Sequence, residues 1–317
     1  MGLVAVGGVL ALAALAALIP IDTSGLESHP HPAQNYADAL GRIHALQAGE
    51  GADIQPACRT LLLSHGRRTA RAVVLLHGLT NCPRQFESLG RLLWAAGDNV
   101  LILRLPRHGL ADRMTLELSS LTARELAHAT DEAVDIGRGL GDRVTVSGLS
   151  VGGVAAAWAA SERSDVDRAV VIAPLLGVAA VPTWLTHVMT NLWLLTPNRF
   201  HWWDSRRREQ LPGPAQVYPR FATRALGETL RLAECVRAHA ARRGPAAREV
   251  VLVQVPGDQA VNNAAIAVLA AAWHAHGGRV ERYEFPARFH LQHDLIDPAQ
   301  VGARPELVYP VLARWLR

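Results

Sequence analysis

The sequence predicts an α/β domain: a doubly wound, mostly parallel sheet with helices on both faces, a helical insertion and an apolar N-terminal segment. Three observations lead there. Short runs rich in Val, Leu and Ile alternate with stretches of helical length, the pattern that successive βαβ units write. With 317 residues, 50% of them hydrophobic and 19% charged, the chain can bury a large core and is too apolar to be disordered. Third, Gly148-Leu149-Ser150-Val151-Gly152 links a β-branched run to an alanine-rich helix former, so a serine sits on a sharp strand-to-helix turn.

Along the chain, residues 1–21 carry no charge. A helix of about 20 apolar residues spans roughly one hydrocarbon core. This segment is expected to be a signal or anchor, with the main domain membrane-anchored or exported; the alternative is a buried N-terminal helix in a cytoplasmic protein. No basic residue precedes the run, as a cleaved signal would want, although Ala11, Ala13, Ala14, Ala16 and Ala17 offer small residues for cleavage. The first arginine is Arg42, so topology is weakly specified. Residues 22–57 read as a tether with one short helix, and His29 and His31, each before a proline, read as linker.

The core is expected over 58–175 and 248–317. Strands are predicted at 59–64, 71–76, 100–104, 142–147 and 168–173. A helix fits 84–96, and another fits 122–139, where Thr122 and Glu125 form a capping box. Alternation then breaks over 176–247, a stretch holding Trp184, Trp193, Trp202, Trp203 and several prolines, helical only from about 220 to 242. An insertion between strands of such a sheet lies over their carboxyl edge, where ligands bind, and reads as a cap. Its tryptophans serve packing within the cap, with one or two available to an apolar acyl pocket. Alternation resumes with a strand at 249–255, a helix at 262–276, a strand at 280–285 and a helix at 305–316.

Charge and cysteine usage exclude several classes. The net charge is +4, and all basic side chains are arginine. They are scattered, the densest run being Arg206-Arg207-Arg208, with a smaller pair at Arg242-Arg243, and there is no stripe or module for nucleic acid. Cys58, Cys82 and Cys235 form no C-x-x-C, so zinc is not expected. Cys58 and Cys82 could bridge in an exported domain; otherwise all three are small buried hydrophobes. No cofactor is implied.

The chemistry gathers around Ser150. A serine hydroxyl is a weak nucleophile near neutral pH. It needs an imidazole to take its proton and a carboxylate to fix the imidazole tautomer. Asp258 follows a strong strand and is either that carboxylate or a helix N-cap. His293 follows the next strand and is the candidate base, with His290 as its rival. The pair at i, i+3 lacks a carboxylate at useful spacing for a metal site. The backbone N–H groups of Leu79 and Val151 are candidate oxyanion donors. His77, which precedes the Leu79 turn, is read as structural. The chain order Ser150, Asp258, His293 fits doubly wound hydrolases.

On these residues the chain resembles the α/β-hydrolase superfamily, closest to the lid-bearing serine hydrolases grouped with monoacylglycerol lipases, small carboxylesterases and serine aminopeptidase S33-like proteins. The matching stretches are His77-Gly78-Leu79-Thr80, Leu105-Pro106-Arg107-His108-Gly109, Gly148-Leu149-Ser150-Val151-Gly152-Gly153, Gly257-Asp258-Gln259-Ala260-Val261 and His293-Asp294. The resemblance spans about 58–317. It implies cleavage of a carboxylic ester through an acyl-enzyme by a Ser-His-Asp triad, on a small ester or lipid-like substrate. Acyl transfer to a non-water acceptor and a catalytically idle, membrane-tethered binding protein are the alternatives. By the same resemblance, 106–109 is a loop at the pocket entrance. Arg107 stands where glycine is common and Val151 where methionine is more frequent.

Overall fold

The computed structural model describes residues 16–211 and 213–317. Most of the expected anchor, residues 1–15, therefore lies outside the described residues. Among those described, no helix is long and apolar enough to cross a membrane.

The strands are β1 (Leu61–Leu63), β2 (Thr69–Leu76), β3 (Asn99–Leu103), β4 (Gly141–Leu149), β5 (Arg168–Ile172), β6 (Phe200–Trp202), β7 (Arg220–Ala222), β8 (Val250–Gln254) and β9 (Val280–Glu284). The principal helices are α1 (Tyr36–Ala48), α2 (Arg84–Ala95), α3 (Ala123–Leu140), α4 (Val151–Glu162), α5 (Thr186–Leu195), α6 (Thr223–Ala240), α7 (Asn263–Ala275) and α8 (Pro305–Leu316). Seven strands form one sheet in the order β1-β3-β2-β4-β5-β8-β9. β1 runs antiparallel to β3, and every other pair is parallel. The four central parallel strands read as continuous apolar runs because helices cover both their faces.

From β2 the chain steps one way to β3, then returns past β2 to β4 and continues the other way. Right-handed crossovers on either side of that reversal put α2 on one face and α3 and α4 on the other. The crevice at the reversal opens between the carboxyl ends of β2 and β4, the place where such sheets bind ligands. Those two ends carry Leu79 and Ser150.

Local chemistry explains the boundaries. Thr122 and Glu125 form the expected capping box: the Thr122 hydroxyl accepts from Glu125 N–H at 3.1 Å, and the Glu125 carboxylate accepts from Thr122 N–H at 2.9 Å. The helix expected from 220 starts instead at Thr223, because residues 220–222 pair with β6 as a two-stranded ribbon.

The insertion read as 176–247 divides. Its first part holds α5 and the β6–β7 ribbon. α6 instead buries Ala225, Leu230, Leu232, Ala233 and Val236 in the main core and contacts α3 and α4, so it belongs to the helical layer.

The segment read as a tether is packed. Leu26, Ala33, Ala39 and Ile43 join the core. The Leu26 carbonyl accepts from the buried Trp158 indole at 2.7 Å. Asp131 and Asp135 take the N–H groups of His29 and His31 at 2.8 and 2.9 Å. Both carboxylates also bind the buried guanidinium of Arg163, so that charge is compensated where water cannot reach it.

Candidate active site

Ser150 stands between β4 and α4 with φ 59° and ψ −110°. This left-handed conformation costs a non-glycine residue about 1–3 kcal/mol. The elbow is held by close backbone approach. A Cβ on Gly148 would lie 2.1 Å from the Gly152 carbonyl oxygen, and one on Gly152 would lie 2.1 Å from that of Leu76. The Ser150 N–H donates to Ile172 O at 3.0 Å, which ties the turn to the end of β5. The residue is 8% exposed, at the positive end of α4.

Asp258 lies beyond β8. Its Oδ1 accepts from the N–H groups of Ala260 and Val261 at 2.7 and 3.1 Å. It is not the cap of α7; Asn262 is, accepting from Ala264 N–H. The other oxygen, Oδ2, lies 2.7 Å from His293 Nδ1. Burial works to raise the Asp258 carboxyl, but the hydrogen bond and charge of His293 and the two N–H groups outweigh it and hold the group below the usual aspartate range. An acceptor there makes Nδ1 the protonated nitrogen and leaves Nε2 free to take a proton. His290 is exposed, in a left-handed turn, and belongs to no such pair. The structure thus joins Asp258 to His293. Among the described residues it forms no hydrogen bond between the Ser150 hydroxyl and that ring.

The loops after β5 and β8 are stitched together. Val178 and Val261 form an antiparallel bridge, and Asn262 N–H donates to Gly177 O at 2.9 Å. This fixes the Asp258 turn against the edge beside Ser150.

The turn after β2 is equally constrained. His77 is buried; Leu105 N–H donates to its Nε2 at 3.0 Å, and its Nδ1 donates to Gly78 O at 2.9 Å. Burial, with His108 nearby, pushes the His77 imidazole well below its ordinary value. It is a neutral strut between the ends of β2 and β3. Among the described residues, the N–H groups of Leu79 and Val151 have no protein acceptor. Cys82, at the end of the turn, is bonded to Cys58.

Arg107 has φ 68°, the conformation a glycine would take there. Its guanidinium bridges Glu117 and Glu125 at 2.7 and 2.8 Å, which offsets the backbone cost.

Sequence reasoning named Thr80 and Trp203 but missed that they meet. The Trp203 indole donates to Thr80 Oγ1 at 3.0 Å, and Tyr218 N–H donates to Thr80 O at 2.8 Å. The insertion is thereby anchored on the turn that carries Leu79. No local signal marks either contact, since the partners are more than a hundred residues apart. Two surface cavities of about 450 and 330 Å³ share Arg104 and Gly49; neither is lined by Ser150, Asp258 or His293. Among the described residues there is no group of His, Cys, Asp and Glu that could hold a metal ion.

A doubly wound seven-stranded sheet with an elbow serine after its central strand defines the α/β-hydrolase fold. The chain belongs to the alpha/beta hydrolase family, whose model matches residues 73–303. No curated protein matches it in sequence. Among solved structures, one from the metagenome-derived lipolytic enzymes LipS and LipT is similar, with a TM-score of 0.58, 18% identity, and coverage of 83% of this chain and 99% of that one. The monoacylglycerol lipase of Paleococcus ferrophilus is similar too, with a TM-score of 0.59, 18% identity, and coverage of 81% and 97%. A soluble variant of the Saccharomyces cerevisiae monoglyceride lipase gives 0.52, 12% identity, and 81% and 90%.

Proposed function

We propose that this protein is a serine hydrolase that cleaves a carboxylic ester with an apolar acyl group. The observation that carries the reading is the His293–Asp258 pair at 2.7 Å, on the same sheet edge as the Ser150 elbow. Ser150 Oγ attacks the ester carbonyl carbon while His293 Nε2 takes its proton. Rotation of the serine side chain brings the two into contact when substrate is bound, as catalytic hydrogen bonds often tighten only then. The carbonyl oxygen becomes an oxyanion facing the free N–H groups of Leu79 and Val151. Collapse breaks the bond to the alcohol, which leaves with the proton from His293. Water then attacks the acyl-serine, gives its proton to His293, and the acid departs as Ser150 recovers its own. Asp258 stabilises the transient imidazolium and stays ionised.

The exposed side chains of Trp184, Leu195 and Trp203 support a cap of apolar character over residues 176–222, and the lipase and monoglyceride lipase neighbours fit it. The Cys58–Cys82 bridge supports an exported domain, since disulfides persist in oxidising compartments. Membrane association through residues 1–21 is part of the same reading, and the described end of that segment docks on the cap. Asn191 Nδ2 binds the carbonyls of Ala16 and Ile19 at 2.8 and 2.7 Å.

The test is a fluorophosphonate label followed by p-nitrophenyl esters of rising chain length. Wild type should label and turn over, and Ser150→Ala should do neither. Asp258→Asn should lose about 10⁴-fold in kcat. Equal labelling of wild type and Ser150→Ala would remove the nucleophile assignment.

A further inference from the structure

The residue after the base, Asp294, is held in a manner that ester cleavage by the pair alone does not require. Its Oδ2 accepts from three side-chain amides: Gln85 Nε2 at 2.8 Å, Gln300 Nε2 at 2.9 Å and Asn81 Nδ2 at 3.0 Å. Its Oδ1 accepts from Asp297 N–H at 3.3 Å. Gln85 and Asn81 are both buried, and each faces the other way as well. Gln85 Oε1 accepts from Gly78 N–H at 2.8 Å, and Asn81 Oδ1 accepts from Cys82 N–H at 2.9 Å.

A carboxylate accepts only and a backbone N–H donates only. Each amide is therefore locked in one orientation, nitrogen toward Asp294 and oxygen toward the turn. Flipping Gln85 would set its amide hydrogens against Gly78 N–H and its oxygen against the carboxylate. One carboxylate thus decides the orientation of two amides that hold both ends of the 78–82 turn, and Leu79 lies inside that turn. The same residue is bonded covalently to His293.

We infer that Asp294 is a positioning residue: acting through Gln85, it sets the Leu79 N–H where the oxyanion forms and keeps that turn in register with the His293 loop. The inference rests on the serine-hydrolase reading above. Asn at 294 presents one acceptor and one donor to three amide donors, so at least one amide must turn. An oxyanion donor is effective only within a few tenths of an ångström, and losing one costs about 10²–10³ in turnover. The loss belongs to kcat, because the oxyanion exists only in the transition state.

The experiment compares wild type, Asp294→Asn, Gln85→Met and the double variant on a matched ester and thionoester. Sulfur accepts hydrogen bonds poorly, so the ester-to-thionoester rate ratio reports on the oxyanion donors. The expected result is a kcat loss on the order of 10²-fold on the ester with KM within about twofold, and a ratio that falls in step. The two substitutions should be non-additive, the double variant resembling the worse single one. Unchanged kcat in folded Asp294→Asn, a loss that leaves the ratio at the wild-type value, or additive effects would each overturn the inference. If Asp294→Asn does not fold, Gln85→Met decides by the same ratio. Ser150→Ala separates the two readings: undiminished turnover there removes the hydrolase assignment, whereas a dead Ser150→Ala beside a wild-type ratio in Asp294→Asn removes only the positioning role.

Discussion

Asp297→Asn should stabilise the protein at neutral pH and do nothing of the kind in acid. Asp297 is 2% exposed. Its carboxyl is pushed up from 3.8 to about 6, first by burial and then by the charge of nearby Asp294, against the help of Ala299 N–H and the Gln216 amide. The folded protein therefore holds this proton more tightly than the unfolded chain. The Asp297 contribution to stability is most favourable below pH 3.8, falls as pH rises through the window up to about 6, and carries the full penalty above it. The gap corresponds to about 3 kcal/mol as an upper bound. Asparagine keeps an acceptor for Ala299 N–H, and Gln216 can turn its amide to meet the new donor. The charge alone is removed. At about 2.1 cal/mol/K per residue, 317 residues convert 3 kcal/mol to roughly 4.5 °C in Tm. Melting of wild type and variant near pH 8 and near pH 4 checks it. The expected rise at the higher pH should shrink toward zero at the lower. An equal shift at both, or a loss at the higher pH, would refute the linkage.

Three further outcomes are expected. Replacing Cys58 and Cys82 together with alanine should cost about 3.5 kcal/mol in urea unfolding, the chain-entropy value for a separation of 24 residues. His108, buried and held near pKa 4, must stay neutral in the fold, so stability should be complete above about pH 6.5 and fall by up to about 3 kcal/mol toward pH 4. A His108→Asn variant should flatten that acid limb in a pH series of melting temperatures. Ser150→Gly should melt later than Ser150→Ala by about 1 kcal/mol equivalent, because only glycine adopts φ 59° without strain, while both remain inactive toward esters.

What was legible in the sequence was whatever a local pattern encodes. Apolar runs alternating with helical stretches specified the parallel sheet. The glycines around Ser150 specified the elbow, since only backbone without Cβ packs that closely. Thr122 and Glu125 specified the start of α3, because a capping box is complete within four residues. Asp258 and His293 were visible as candidate carboxylate and base, each with a rival reading left open. Asp258 as cap or carboxylate, and His293 against His290, depended on contacts between loops after different strands, and the 2.7 Å pair spans 35 residues. Asp294 is farther out of reach: its bonds to Gln85 and Asn81 span 209 and 213 residues. α6 was taken with the insertion because its amphipathic pattern says that it buries a face, not against what. Sequence alone determined which segments could form each element and which side chains had the right chemistry. Tertiary structure decided which of them meet, because a hydrogen bond depends on distance in space, and the order of strands in the sheet is what sets that distance.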